Sequence, residues 1–222
     1  MPHVDLRVYA ILDPKRTKGR PLPELARAAV DGGATLLQYR DKDSETRQLV
    51  ETARAIRAAV AGAGVPLLIN DRVDVALAAG AEGVHIGQSD MTVTDARRLL
   101  GPEAIIGLTL KTEADARGME GLPLDYGCIG GVFETVSKIN PELPLGTRGF
   151  ASVAAVARAA APGKAIGAIA GIDPTNAAAI IAAGADGVAV ISALFMQNDV
   201  AAATARLRAI VDEALAARGA LT

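Results

Sequence analysis

At 222 residues, half of them hydrophobic and only 3% aromatic, the chain is long enough for one large α/β barrel or two smaller domains. No apolar stretch reaches the roughly 20 residues that a membrane span needs. A net charge of −2, with acids and bases interspersed and no basic stripe or stacking-aromatic array, speaks against nucleic acid as partner and leaves a small ligand held by local charge. The N-terminus shows no basic segment leading into a long apolar run, so no signal peptide is expected. The single cysteine, Cys128, forbids an intrachain disulfide and suits a reducing compartment, the cytoplasm.

Eight short runs rich in Val, Ile and Leu fall at about 7–13, 34–40, 66–71, 83–88, 105–110, 126–133, 165–172 and 187–195. Near-continuous apolarity predicts strands covered on both faces. Ala-rich segments such as RQLVETARAIRAAVAGAG and FASVAAVARAAAPG separate them, with helical spacing and Gly at the expected C-cap. A final helix is predicted from Asp199 to about Arg218. Strand–helix alternation implies right-handed βαβ units and a parallel sheet. The phrase AGAEGV (79–84) returns as AGADGV (183–188), and eight such units predict a single-domain (β/α)8 TIM barrel over residues 1–222, with an open doubly wound sheet as the runner-up. The Pro-rich stretch within Thr135–Gly149 reads as a long loop after the sixth strand, a lid candidate rather than a domain boundary.

Polar residues gather where these runs end, and in a parallel barrel those ends share one rim. Gln38, Arg40 and Lys42 are spaced by two, which puts them on one face of an extended chain pointing into the mouth. Two cations and an amide suit a phosphate or diphosphate; the bland reading is a solvated strand end paired to Asp41, Asp43 or Glu45. Asn70 and Asp71 end the third run and Asp90 follows the fourth. The two carboxylates suit magnesium, which completes its octahedron with waters and phosphate oxygens, or else they cap the helices that follow. Thr135, Ser137 and Lys138 bring hydroxyls and a third cation after the sixth strand. Gly171 at the end of the seventh strand, and Ile191 and Ser192 in the eighth, suit a second anion held by backbone N–H groups. His85, inside a strand, reads as a packed, hydrogen-bonded residue, and His3 and Cys128 read as structural.

Over almost its full length the chain resembles the thiamine phosphate synthase family. The resemblance is carried by QYRDK (38–42), INDRVDVALAAGAEGVHIGQSD (69–90), IIGLT (105–109), GGVFETVSK (130–138), AIAGI (168–172) and AGADGVAVISALF (183–195). It implies a (β/α)8 transferase that condenses 4-amino-2-methyl-5-hydroxymethylpyrimidine diphosphate with a thiazole phosphate, releasing pyrophosphate, and carbon dioxide when the thiazole is carboxylated. It places the pyrimidine-diphosphate contacts on Gln38, Arg40, Lys42, Asn70, Thr109 and Lys138 and the magnesium ligands on Asp71 and Asp90. The thiazole-phosphate contacts fall on Thr135, Ser137, Gly171, Ile191 and Ser192. The implied mechanism is dissociative, with Arg40, Lys42 and Lys138 stabilising the leaving group. Three positions depart from the family pattern: Thr109 for Ser, Ser137 for Thr, and Ala170 where Gly usually precedes Gly171. The competing readings are a thiazole tautomerase, which has no diphosphate to activate, and a non-catalytic barrel that binds a thiamine precursor. The sequence leaves the subunit count open, a homo-oligomer included.

Overall fold

In VYAIL (8–12) or LLQY (36–39) both alternating sets of side chains are buried, so each strand must be covered on two sides. The computed structural model describes residues 4–135 and 143–220, and its strands close on themselves. Eight parallel strands form the barrel in the order β1 to β8: β1 (Val8–Leu12), β2 (Leu36–Tyr39), β3 (Leu67–Asn70), β4 (Gly83–Ile86), β5 (Ile105–Leu110), β6 (Tyr126–Ile129), β7 (Ala165–Ile169) and β8 (Gly187–Val190), with β8 pairing back to β1. The outer ring comprises α1 (Leu22–Asp31), α2 (Thr46–Ala59), α3 (Val73–Ala79), α4 (Val93–Leu100), α5 (Glu113–Arg117), α6 (Gly146–Ala160), α7 (Ala177–Ala182), α8 (Ser192–Phe195) and α9 (Val200–Gly219). The closed barrel rules out the doubly wound sheet. No helix among the described residues is long and apolar enough to cross a membrane.

Strand alternation sorts the core in two. Val8, Ala10, Leu12, Leu37, Ile69 and Val188 pack outward with helix residues such as Ala26, Ile56, Phe150 and Leu207. Tyr9, Ile11, Leu36, Leu68, Tyr126 and Cys128 form the barrel interior. Tyr126 needs a concession from its neighbour: a Cβ at Gly107, its register partner on β5, would lie 2.0 Å from the Tyr126 ring. Glycine within this strand therefore opens the interior for a bulky side chain.

At the amino end, one acid precedes each of β4, β6 and β8 and accepts a backbone N–H from the first or second residue of the strand before it. Glu82 accepts from Leu67, Asp125 from Ile106 and Asp186 from Ile166, at 2.8–2.9 Å. Each acid also pairs with an arginine of an even-numbered helix: Arg57, Arg97 and Arg158 respectively. The repeated AGAEGV and AGADGV phrases carry two of these three clamps. Only Arg97–Asp125 is buried on both sides, at 13% and 2% side-chain exposure, so it is the clamp whose rupture costs most.

Several boundaries differ from the sequence expectation. β6 stops at Ile129 and β8 at Val190, and Ser192–Phe195 forms the short helix α8, with Ile191 as its N-cap. The loop expected over 135–149 ends earlier, because α6 begins at Gly146. Backbone bonds from Leu145 to Gly131 and from Gly146 to Val132 hold that first turn despite its glycines. Residues 136–142 of that loop, with Ser137 and Lys138, lie outside the described residues.

Candidate active site

A cavity of about 1060 Å³ opens at the carboxyl rim, lined by Gln38, Arg40, Asn70, Thr109, Thr135, Gly171, Ile191 and Ser192 among others. It is where α/β barrels assemble sites, because each strand can deliver a side chain there without altering the scaffold. These eight expected residues thus share one space, whereas Lys42, Asp71 and Asp90 are not among the residues that line it.

β2 ends at Tyr39, so the regular alternation behind the Gln38, Arg40, Lys42 reading does not continue past Gln38. Gln38 is buried in the interior, where its Nε2 donates to Tyr9 Oη. Arg40 donates through Nη1 to buried Asp13 at the end of β1, and exposed Lys42 contacts Asp71 at the end of β3. Their partners are therefore acids on neighbouring strand ends, not Asp41, Asp43 or Glu45; parallel pairing makes the ends of β1 and β3 flank that of β2.

Asp71 and Asp90 are not helix caps, which removes the bland alternative. The N-caps of α3 and α4 are Arg72 and Thr92, and Thr92 accepts the N–H of Asp95. Asp90 instead accepts the N–H of Gly87 at 2.7 Å, closing its own turn. Asp71 has φ +60°, uncommon outside glycine, at the centre of a three-residue turn in which Arg72 N–H donates to the Asn70 carbonyl at 2.7 Å. Burial and the neighbouring Asp90 carboxyl raise the Asp71 pKa, against the opposing pull of Lys42. Beside them Asn70 Nδ2 is buried without a hydrogen-bond partner among the described residues, a donor for which the cavity is the available outlet.

On the opposite side, Gly171 has φ +64° and a Cβ there would lie 2.2 Å from the Glu134 carbonyl oxygen, so only glycine fits. Ala170 adopts φ +94°, held there by a bond from Phe133 N–H to its carbonyl at 3.1 Å. The backbone conformation that a glycine would adopt freely is borne here by a methyl-bearing residue. Ile191 and Ser192 lie at the start of α8, which presents backbone N–H groups beside Gly171 in the cavity wall.

The sequence reading missed Lys111, two residues after Thr109, which also lines the cavity; its signal was the polar ending of IIGLTLKT. It also missed Tyr9, which lines the cavity, and Tyr126, buried in the barrel interior. His85 is buried, as expected, with Nδ1 2.8 Å from Tyr126 Oη and Nε2 2.8 Å from Thr109 Oγ1. Tyr126 Oη lies 2.9 Å from Tyr9 Oη, within hydrogen-bond reach. Burial pushes the Cys128 thiol up to about 12, which suits a structural residue.

A closed parallel barrel that gathers cations, carboxylates and backbone amides around a rim cavity has the build of a (β/α)8 enzyme. The family model for thiamine monophosphate synthase matches residues 8–194. The chain is 56% identical over 218 residues to a thiamine-phosphate synthase of Agrobacterium fabrum, covering 98% of this chain and 99% of the relative. It is 46% identical over 214 residues to one of Moorella thermoacetica, covering 96% and 99%. A thiamine phosphate pyrophosphorylase from Pyrococcus furiosus superposes with a TM-score of 0.82 at 34% identity, over 96% of this chain and 98% of that one. The chain belongs to the thiamine monophosphate synthase family, and so to the transferases.

Proposed function

We propose that this enzyme joins 4-amino-2-methyl-5-hydroxymethylpyrimidine diphosphate to a thiazole phosphate, giving thiamine phosphate and pyrophosphate. The observation that carries the reading is one cavity with two unlike ends: Gln38, Arg40, Asn70 and Thr109 on one side, Gly171, Ile191 and Ser192 on the other. Two substrates, each with its own anionic group, suit such a space.

The C–O bond between the pyrimidine methylene and the diphosphate breaks first, its electron pair leaving with pyrophosphate. The thiazole nitrogen then supplies the pair for the new C–N bond. When the thiazole carries a carboxylate, carbon dioxide leaves and its bonding electrons return to the ring. This sequence asks little of acids and bases and much of charge stabilisation at the leaving group. Arg40 and Lys42 supply that charge, with Lys138 as the third cation. Asp13 and Asp71 hold Arg40 and Lys42 at the rim, which orients both cations within the protein itself.

Asp71 and Asp90 fit magnesium. They flank neighbouring strand ends, and the Lys42 ammonium already seats a positive charge on Asp71. Among the described residues no group of three or more His, Cys, Asp or Glu offers a richer set, so the remaining ligands would be waters and diphosphate oxygens. A bound ion would neutralise charge on the diphosphate. Single-turnover pyrophosphate release tests the cation roles: Arg40→Ala and Lys138→Ala should each slow it roughly a hundredfold, and wild-type rates in both would sink them.

A further inference from the structure

The interior below the cavity holds a chain of four hydrogen bonds that the proposed reaction does not use. It runs from Gln38 Nε2 to Tyr9 Oη, on to Tyr126 Oη, to His85 Nδ1, and from His85 Nε2 to Thr109 Oγ1. These five residues come from β2, β1, β6, β4 and β5, so the chain crosses the barrel and ends on two residues of the cavity wall. The interior is built for it: Gly107 gives up its side chain to admit the Tyr126 ring, which stacks on His85 with ring centroids 5.5 Å apart.

Counting protons limits what the chain can present. With neutral His85, each of the five residues brings one hydrogen for four bonds, so one is left over. If Tyr126 donates to Tyr9, then Nδ1–H donates to Tyr126 and Thr109 donates to Nε2; the spare hydrogen is the Tyr9 hydroxyl's. If Tyr9 donates to Tyr126, the imidazole carries its hydrogen on Nε2 and the spare one is Thr109's. A spare hydrogen on Tyr126 is unfavourable, because that residue is fully buried and does not line the cavity. Both permitted senses end at a cavity-lining hydroxyl, and each corresponds to one His85 tautomer. Burial keeps both phenols protonated, as the count requires.

We propose that Tyr9, Tyr126 and His85 are positioning residues that orient the Gln38 amide and deliver one hydroxyl hydrogen, from Tyr9 or Thr109, to an acceptor nitrogen of the heterocyclic substrate. The proposal rests on the synthase reading for the identity of that heterocycle, an aminopyrimidine. Tyr126 is the link, since it joins the Gln38–Tyr9 end to the His85–Thr109 end.

Tyr126→Phe keeps the ring that fills the space beside Gly107 and removes the oxygen that links the two ends. With only two histidines in the chain, long-range ¹H–¹⁵N spectra of wild type and of His85→Gln assign the His85 ring nitrogens directly. Wild type should show one dominant neutral tautomer, and Tyr126→Phe a mixture. The KM for the pyrimidine diphosphate should rise about tenfold while that for the thiazole phosphate stays within about twofold. Tyr9→Phe should raise the same KM, and it carries the test if Tyr126→Phe does not fold. An unchanged tautomer pattern, or an unchanged pyrimidine KM, would overturn the proposal. Should wild type fail to turn over these substrates, the synthase reading falls; the spectra, titrated with the pyrimidine alcohol, still decide the chain through a shift or its absence at His85.

Discussion

Asp125 Oδ2 accepts two hydrogen bonds at once, from Arg97 Nη2 at 2.6 Å and from the Ile106 N–H at 2.8 Å, so one buried carboxylate ties α4 to the amino end of β5. Arg97 continues the clamp by donating to the carbonyls of Gly101, Ala104 and Pro123. Asp125→Ala leaves the guanidinium without its anion and an interior N–H without an acceptor. The expected loss is about 3–5 kcal/mol of unfolding free energy, read by chemical denaturation. Glu82→Ala, at the exposed clamp with Arg57, should lose less than half as much.

Ala170 holds a backbone conformation that suits glycine. Ala170→Gly should relieve strain at φ +94°, partly offset by added freedom in the unfolded chain, for a net gain of about 1 kcal/mol. In a chain of this size that corresponds to a rise in Tm of roughly 2–4 °C. A fall in Tm would mean that the turn tolerates the methyl group without strain.

All three tyrosines, Tyr9, Tyr39 and Tyr126, have phenol pKa values raised by burial, and Cys128 is pushed up to about 12. For each group the fold favours the neutral form. The stability they lend is therefore complete below the ordinary thiol and phenol values of 9.0 and 10.0 and is lost as pH rises above them. Tyrosinate absorbance followed with circular dichroism should appear only as the protein unfolds. A phenol titrating near 10 in the folded protein would contradict the buried arrangement.

The metal and phosphate assignments separate by kinetics. Asp71→Ala and Asp90→Ala should each lower magnesium-dependent turnover by roughly a hundredfold. Ser192→Ala should chiefly raise the KM for the thiazole phosphate, by about tenfold. Full activity of both aspartate variants at limiting magnesium would remove these residues from the metal site.

The barrel was legible because local pattern and global fold agree: strands apolar on both faces, Ala-rich helices between them, and Gly at the turns. α8 was not, since SALF follows VAVI without a break and only the end of β8 pairing with β1 stops the strand. The cations were found but their partners were not, because Asp13 meets Arg40 through strand pairing across 27 residues. The Tyr9–Tyr126 bond spans 117 residues, and either tyrosine alone reads as core. Lys111 continues the alternation from Thr109 one residue past the end of β5, where a lysine reads equally well as a solvated strand end.

The most direct measurement is pyrophosphate release by the purified protein given the pyrimidine diphosphate, the thiazole phosphate and magnesium, with each omitted in turn. Release that requires all three, with thiamine phosphate formed in equal amount, is the expected result. No release while the thiazole phosphate still binds would contradict the synthase assignment.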